Sequence, residues 1–288
     1  MRIGAVFPQY DVLRDAADIA EFARGVEGLG MDHLLVYDHV LGVDPAVRPE
    51  WTHLYRNDSE FHEPFVLFGY LAAVCRLELV TGVLVLPQRQ TALVAKQAAQ
   101  AAWLAEGGLR LGVGLGWNES EYRALGVPFA RRGARIQEQV ALLRSLWSAP
   151  SVTARTSVEE LDGVGLAPRP RREIAVWLAG KAPAALARVG RIADGWFPLE
   201  KPGAEAAARL EAVRRAAREA GRDPAGIGVE PRIRVPGRPA DELAAEIGFW
   251  VDHGASHLSF STMDAGLGSV AEHLRHLESA LGTVSRGR

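Results

Sequence analysis

Eight times between Arg2 and Leu281, a short apolar run rich in β-branched residues gives way to an amphipathic, alanine-rich stretch. The runs Arg2–Phe7, His33–Tyr37, Leu77–Leu86, Leu109–Gly116, Ile174–Ala179, Gly195–Pro198, Gly228–Val235 and His257–Ser261 read as strands. Helical spacing follows at about Asp15–Leu29, Pro64–Val74, Thr91–Leu104, Arg131–Trp147, Pro183–Ile192, Ala204–Ala220, Ala240–His253 and Ser269–Leu281. Strands separated by helices pair in parallel, because a helical crossover returns the chain to the starting edge. Eight such units in about 250 residues are the count of a closed barrel. The predicted fold class is therefore α/β, a single (β/α)8 TIM barrel over residues 1–288. Two connections exceed the usual two to six residues or so. Val40–Glu63 follows the second strand, and Ala149–Glu173 precedes the fifth. The first leaves a strand's carboxyl end, the catalytic face of a barrel, and reads as a substrate lid.

Composition removes several functions. With 33 basic and 35 acidic residues the net charge is −2, too little positive charge to neutralise a phosphate backbone, so no nucleic-acid partner is expected. No apolar run reaches the roughly 18–20 residues that span a bilayer, so no membrane partner is expected. The opening MRIGAVFPQY lacks a charged-then-apolar leader and already reads as a strand, which predicts a cytoplasmic protein. Cys75 is the single cysteine, which excludes an intrachain disulfide and a multi-cysteine metal site. The eight histidines show neither H-x-H nor H-E-x-x-H spacing, and no metal is expected. His253, His257, His273 and His276 read as surface residues of the late units. No G-x-S-x-G elbow and no phosphate-binding G-x-x-x-x-G-K-[ST] loop occurs.

In a barrel the chemistry belongs at the carboxyl ends of the strands. Tyr37-Asp38-His39 ends the second: a carboxylate beside an imidazole holds a polar ring and moves a proton near neutral pH, or else caps local amides. In the third, Gly82 interrupts a β-branched run, marking a bulge, a close flat ligand or tight packing. The fourth, Leu111-Gly112-Val113-Gly114-Leu115-Gly116-Trp117-Asn118, fails the G-x-G-x-x-G fingerprint, because Trp117 stands where glycine is required. Its alternating glycines instead bare one face of the strand, for a planar ligand or for packing. The fifth ends Gly180-Lys181 ahead of Pro183, a helix start that suits an anion through free N–H groups and dipole. Arg131, Arg132 and Arg135 crowd the start of the fourth helix, either facing an anionic ligand or solvated.

The ordered segments GAVFPQ, LLVYDHV, HEPF, ELVTGVLVLPQRQTALVAKQAA, RLGVGLGWNESEY, VPFARRGARIQEQVALLRSLW and WLAG…ADGWF together resemble the luciferase-like monooxygenase superfamily. More narrowly they are similar to its branch of deazaflavin (coenzyme F-420)-dependent oxidoreductases. The resemblance implies a (β/α)8 barrel carrying F-420, or alternatively FMN, at the carboxyl ends of the strands. It implies Asp38 and His39 beside the ring, with His39 the proton-transfer group and a small organic molecule as substrate. Thr81-Gly82-Val83 matches the family's bulge with a non-proline cis peptide, expected at Gly82–Val83. Gly116-Trp117-Asn118 matches a region contacting the cofactor tail, and Gly180-Lys181 the phosphate site. A homodimer is implied on the same ground. Three departures stand out. Trp117 occupies the position of the catalytic glutamate of the sugar-phosphate dehydrogenases in this branch. Gly107-Gly108 runs directly into Leu109, and Ala149–Glu173 differs from the common aromatic hairpin. The expected activity is hydride transfer between F-420 and a small organic substrate. An FMN-dependent monooxygenase and a non-catalytic flavin-binding protein are the alternatives.

Overall fold

The computed structural model describes residues 1–11, 15–53 and 55–286. Its main sheet is curled, and every pair of neighbouring strands in it is parallel. In chain order it comprises β1 (Arg2–Val6), β2 (His33–Val36), β3 (Glu78–Thr81), β4 (Leu84–Val85) and β5 (Leu109–Gly114). A separate antiparallel hairpin supplies β6 (Val152–Arg155) and β7 (Glu160–Val164). The sheet resumes with β8 (Ala175–Ala179), β9 (Gly195–Phe197), β10 (Gly228–Val229), β11 (Arg232–Arg234) and β12 (His257–Ser261). Helices α1 (Ala16–Gly28), α2 (Pro64–Val74), α3 (Thr91–Leu104), α4 (Glu119–Ala124) and α5 (Arg132–Ser148) cover the first half. The second half is covered by α6 (Pro183–Ile192), α7 (Ala204–Glu219), α8 (Ala240–Asp252) and α9 (Val270–Arg286). The hydrogen-bonded path runs β10-β9-β8-β5-β3-β2-β1-β12-β11, with β4 also on β5. Its two ends, β10 and β11, are separated in sequence only by Glu230 and Pro231.

Two of the expected strands are broken, each for a local reason. The expected seventh strand splits at Glu230-Pro231: proline has no N–H for a ladder, and the Glu230 carboxylate turns into the interior. The third splits at Gly82-Val83. Val80 pairs with Arg110 and Leu84 with Val113, so four steps on one strand face three on the other, the signature of an inserted residue. Helix starts follow the sequence closely. Asp15 accepts from the N–H groups of Ala17 and Asp18, Glu63 accepts from Val66 N–H, and Pro64 and Pro183 sit in first turns. The short α4 has no counterpart among the expected elements. Segment 149–173 carries the β6–β7 hairpin, against the outer helices: Glu159 accepts from Thr91 at the start of α3, and Ser157 donates to Glu138 of α5.

Strand alternation sorts the core into two layers. Outward residues such as Leu34, Leu79, Leu111, Val176 and Phe260 pack under the helices. Inward residues Val6, Leu35, Val80, Trp177, Phe197 and Met263 form a second, smaller cluster. At the amino ends of the strands the interior is charged. Glu230 accepts from Ser259 Oγ (2.5 Å), lies 2.7 Å from His33 Nε2 and pairs with Arg110, which also bonds Glu78. Burial pushes the Glu230 carboxyl up, but His33 and Arg110 outweigh it and hold it far below the carboxylate range. Gly4 is required here, since a Cβ would meet the His33 ring at 2.3 Å.

Two late histidines are not surface residues. His273 is fully buried on the inner side of α9, with Nδ1 2.7 Å from Thr262 Oγ1 and its ring edge-on to Phe22. The inward register of β12 sets the His257 ring 5.0 Å from Trp177. Their positions facing the core are invisible to a test that looks only for ligand spacing. Burial, then the neighbouring Arg110, lowers His257 to about 3; burial, then His276, lowers His273 to about 4. In an unfolded chain both take a proton near 6.5, so below that pH the unfolded state binds more protons and stability falls with acidity. Asp11 opposes them: burial, then Asp264, raises it to about 6, so its contribution is present in acid and lost as pH rises through that value. His62, lowered by burial, and Glu121 and Glu230, held low by their partners, act with the two histidines, while Asp38, raised by burial, acts with Asp11; the larger set gives the sign. Urea midpoints are expected to drop from pH 7 to pH 4.5, and His273→Asn to flatten that slope; an unchanged slope in the variant contradicts the assignment.

Candidate active site

A cavity of about 550 Å³ opens at the carboxyl ends of the strands. Its walls are Tyr37-Asp38-His39 after β2, Gly82 and Val83 of the bulge, Gly114–Trp117 at the end of β5, and Ala179–Ala182 after β8. Tyr55, Arg132, Leu199 and Arg232 complete the rim. Of the residues singled out in the sequence, Asp38, His39, Gly82, Val83, Gly116, Gly180 and Lys181 meet here. Thr81 and Asn118 do not line this cavity. Thr81 is buried behind the bulge and donates to Gly112 O at 2.7 Å. Asn118 caps α4, donates to Leu41 O at 3.1 Å and borders a neighbouring cavity of about 250 Å³.

The bulge is held from two sides. Asp38 Oδ2 accepts from Val85 N–H at 2.9 Å and Oδ1 from Arg89 at 2.8 Å, while Arg89 also bonds Glu63 at 3.0 Å. Burial raises the Asp38 carboxyl above its ordinary range, and Arg89 and the Val85 N–H offset only part of that rise. Both oxygens thus serve the protein's own donors, and Asp38 acts on the cavity through the backbone that it fixes. The Gly82–Val83 peptide is cis. A Cβ on Gly82 would meet Leu35 at 2.2 Å, and one on Gly112 the Thr81 carbonyl oxygen at 2.0 Å. Gly114 leaves room for the Val83 side chain, 2.5 Å from where its Cβ would stand. The alternating glycines therefore admit the bulge and the side chains packed around it, and Gly82, Val83, Gly114 and Gly116 form one wall of the cavity.

His39 is set by a residue that the sequence reading did not single out. Its Nδ1 lies 3.5 Å from Oε2 of Glu121, a buried carboxylate on α4. Glu121 Oε1 also accepts from the N–H groups of Val40 and of Leu41, the latter at 3.1 Å. Burial raises Glu121, but His39 and these two N–H groups prevail and hold it below the usual carboxylate range. Glu121 thus faces Nδ1 and leaves Nε2 as the ring nitrogen turned away from the carboxylate. Tyr55, Phe61 and Trp117 surround that ring with centroids 5.0–5.4 Å away. Tyr55 and Phe61 come from the 40–63 connection, so the expected lid packs directly on His39.

The opposite end of the cavity is cationic. No side chain caps α6, Gly180 has φ +140°, and Lys181 is exposed at the rim. The arginine cluster divides: Arg135 is buried and donates to Pro87 O and Pro128 O, both at 3.0 Å, whereas Arg132 lines the cavity. Arg132 lies 3.7 Å over the Phe129 ring, and its buried Nε has no hydrogen-bond partner. Arg131 takes a left-handed conformation, φ 58°, at the amino end of α5.

With this geometry in view, the chain belongs to the luciferase-like monooxygenase family, whose model matches residues 4–264. A phthiodiolone/phenolphthiodiolone dimycocerosates ketoreductase of Mycobacterium kansasii is 33% identical over 230 residues. The match takes in 74% of this chain and 62% of the ketoreductase, less than two thirds of its length. The fold is shared with an F-420-dependent secondary alcohol dehydrogenase solved with an F-420–acetone adduct (TM-score 0.80, 18% identity, 98% of each chain). It is shared equally with the monooxygenase RslO1 of Streptomyces bottropensis (TM-score 0.79, 19% identity, 99% of this chain and 100% of that one). An oxidoreductase of this family is the class that fold and sequence define.

Glu121→Ala strands the Val40 and Leu41 N–H groups and frees the His39 ring. A loss of about 1–3 kcal/mol is expected in urea unfolding, with faster hydrogen exchange at Val40 and Leu41. Unchanged exchange there contradicts the role given to Glu121.

Proposed function

We propose that this protein is an F-420-dependent oxidoreductase that interconverts a small alcohol and its carbonyl compound, built on a closed (β/α)8 barrel. The carrying observation is the pairing, in one cavity, of the bulge wall at Gly82–Val83 with a cationic end at Gly180, Lys181 and Arg132, where among the described residues no side chain caps the helix. A planar ring joined to an acidic tail fits that polarity. Gly82 and Val83 would support the ring, and α6, Lys181 and Arg132 would hold the phosphate. Arg132, whose buried Nε has no hydrogen-bond partner among the described residues, fits such an acidic tail. F-420, when bound, supplies or takes up a hydride at one ring carbon.

The chain's own residues do the rest. Asp38 and Arg89 fix the backbone under the ring site. His39 Nε2 gives a proton to the carbonyl oxygen during reduction and takes one from the hydroxyl during oxidation, with Glu121 holding the tautomer. Tyr55, Phe61 and Trp117 keep water from the reacting atoms. The dehydrogenase and ketoreductase names among the similar proteins support carbonyl–alcohol chemistry. The equally similar monooxygenase keeps an FMN-dependent oxygenase as the rival reading.

His39→Ala is expected to keep F-420 affinity within a few-fold while lowering turnover about 10²–10⁴-fold. Anaerobic oxidation of reduced F-420 by a panel of small ketones measures this, and direct titration of both proteins measures affinity. Undiminished turnover in the variant removes His39 from the proton path. Turnover that needs oxygen and FMN establishes the rival, and no turnover with either cofactor leaves a binding protein.

A further inference from the structure

We propose that the groove beside the active-site cavity is a substrate subsite for an anionic group, a carboxylate or phosphate, held by Arg232 and Arg234. This proposal rests on the oxidoreductase reading for the reacting end of the substrate only. The groove has a volume of about 880 Å³ and lies between the segment after β9 and the helix α8. It shares Leu199 and Arg232 with the 550 Å³ cavity, so one molecule can occupy both.

The charges of the groove do not cancel. Arg238 is paired with Glu246 within the groove, and Glu200 is paired with Arg209 of α7. That leaves Arg232, Arg234 and Lys201 against Glu242. Among the described residues, none of these three cations has a carboxylate within ion-pair distance. Both arginines are nevertheless positioned. Arg232 donates to Gly82 O at 3.2 Å, and its guanidinium lies 5.4 Å from the Tyr37 ring centroid; Arg234 donates to Asp264 O at 2.7 Å. Backbone carbonyls orient the two heads without neutralising them, leaving N–H donors and full charge for an oxyanion. Arg232 binds the carbonyl of the bulge itself. An anion on Arg232 and Arg234 therefore sets the far end of the same molecule beside the reacting site, which selects oxo-acids or phosphate esters over neutral ketones.

The test compares matched probes: 4-oxopentanoate with 2-pentanone, 5-oxohexanoate with 2-hexanone, and hydroxyacetone phosphate with hydroxyacetone. Binding is read by calorimetry on the full chain with and without F-420. At least one anionic probe is expected to bind about tenfold or more tightly than its neutral partner, with the preference shrinking as salt is raised. The carboxylate and phosphate arms identify which oxyanion is preferred. Arg232→Gln and Arg234→Gln should each cut the preference by about threefold or more, and Glu242→Gln should increase it. Arg234→Gln keeps the test sound if Arg232→Gln disturbs the bulge. Equal binding within every pair, or a preference that survives both arginine variants, overturns the proposal. F-420 affinity, measured on the same samples, reports separately on the oxidoreductase reading.

Discussion

Asp38 reaches across from the end of one strand to take the Val85 N–H and the Arg89 guanidinium of the next, and the active-site wall hangs on those two bonds. Without them the interruption at Gly82–Val83 would have no partner on the β2 side beyond the Gly82 N–H bond to Val36. Three neighbouring strands carry the glycine, leucine and threonine atoms that make room for it. Leu35 occupies the space that a Gly82 side chain would need, and the Thr81 oxygen occupies that of Gly112. A buried carboxylate with both oxygens committed is costly to desolvate, and its partners must both be present to offset that cost. Asp38 thus lies at the cavity wall with both carboxylate oxygens committed to Val85 and Arg89.

Glu121 does for His39 what Asp38 does for the bulge. It ties the imidazole and the first two N–H groups of the 40–63 connection to one carboxylate, so the His39 ring and that connection share an anchor. The aromatic packing of Tyr55, Phe61 and Trp117 on His39 makes that connection part of the surroundings of the imidazole. Trp117, which departs from the glutamate of the sugar-phosphate dehydrogenases, becomes part of this apolar cover. In the proposed reaction the acid/base duty falls to His39, with Glu121 as its partner.

What could be read from the sequence was what is local. The alternation of strands and helices, the glycine interruption in the third strand, the alternating glycines and the proline-led helix after Gly180 are all written in adjacent residues. Pro231 signalled the break in the seventh strand, though it was read as continuous. The rest depends on contacts between distant positions. Arg89 lies 51 residues from Asp38 and Glu121 lies 81 residues from Val40, and no spacing rule links them. The division of the arginine cluster, Arg135 bound to backbone carbonyls and Arg132 in the cavity, follows from helix rotation against the β4 turn. His273 reads as a surface residue in the sequence because a buried histidine whose Nδ1 meets a threonine hydroxyl leaves no motif.

In the proposed function the bulge wall and the cationic end form one site for a deazaflavin, and equilibrium titration of the purified protein with F-420 and FMN side by side tests that most directly. F-420 is expected to bind at least about tenfold more tightly than FMN, with an affinity that weakens as salt is raised. Tighter binding of FMN, or binding of neither, contradicts it.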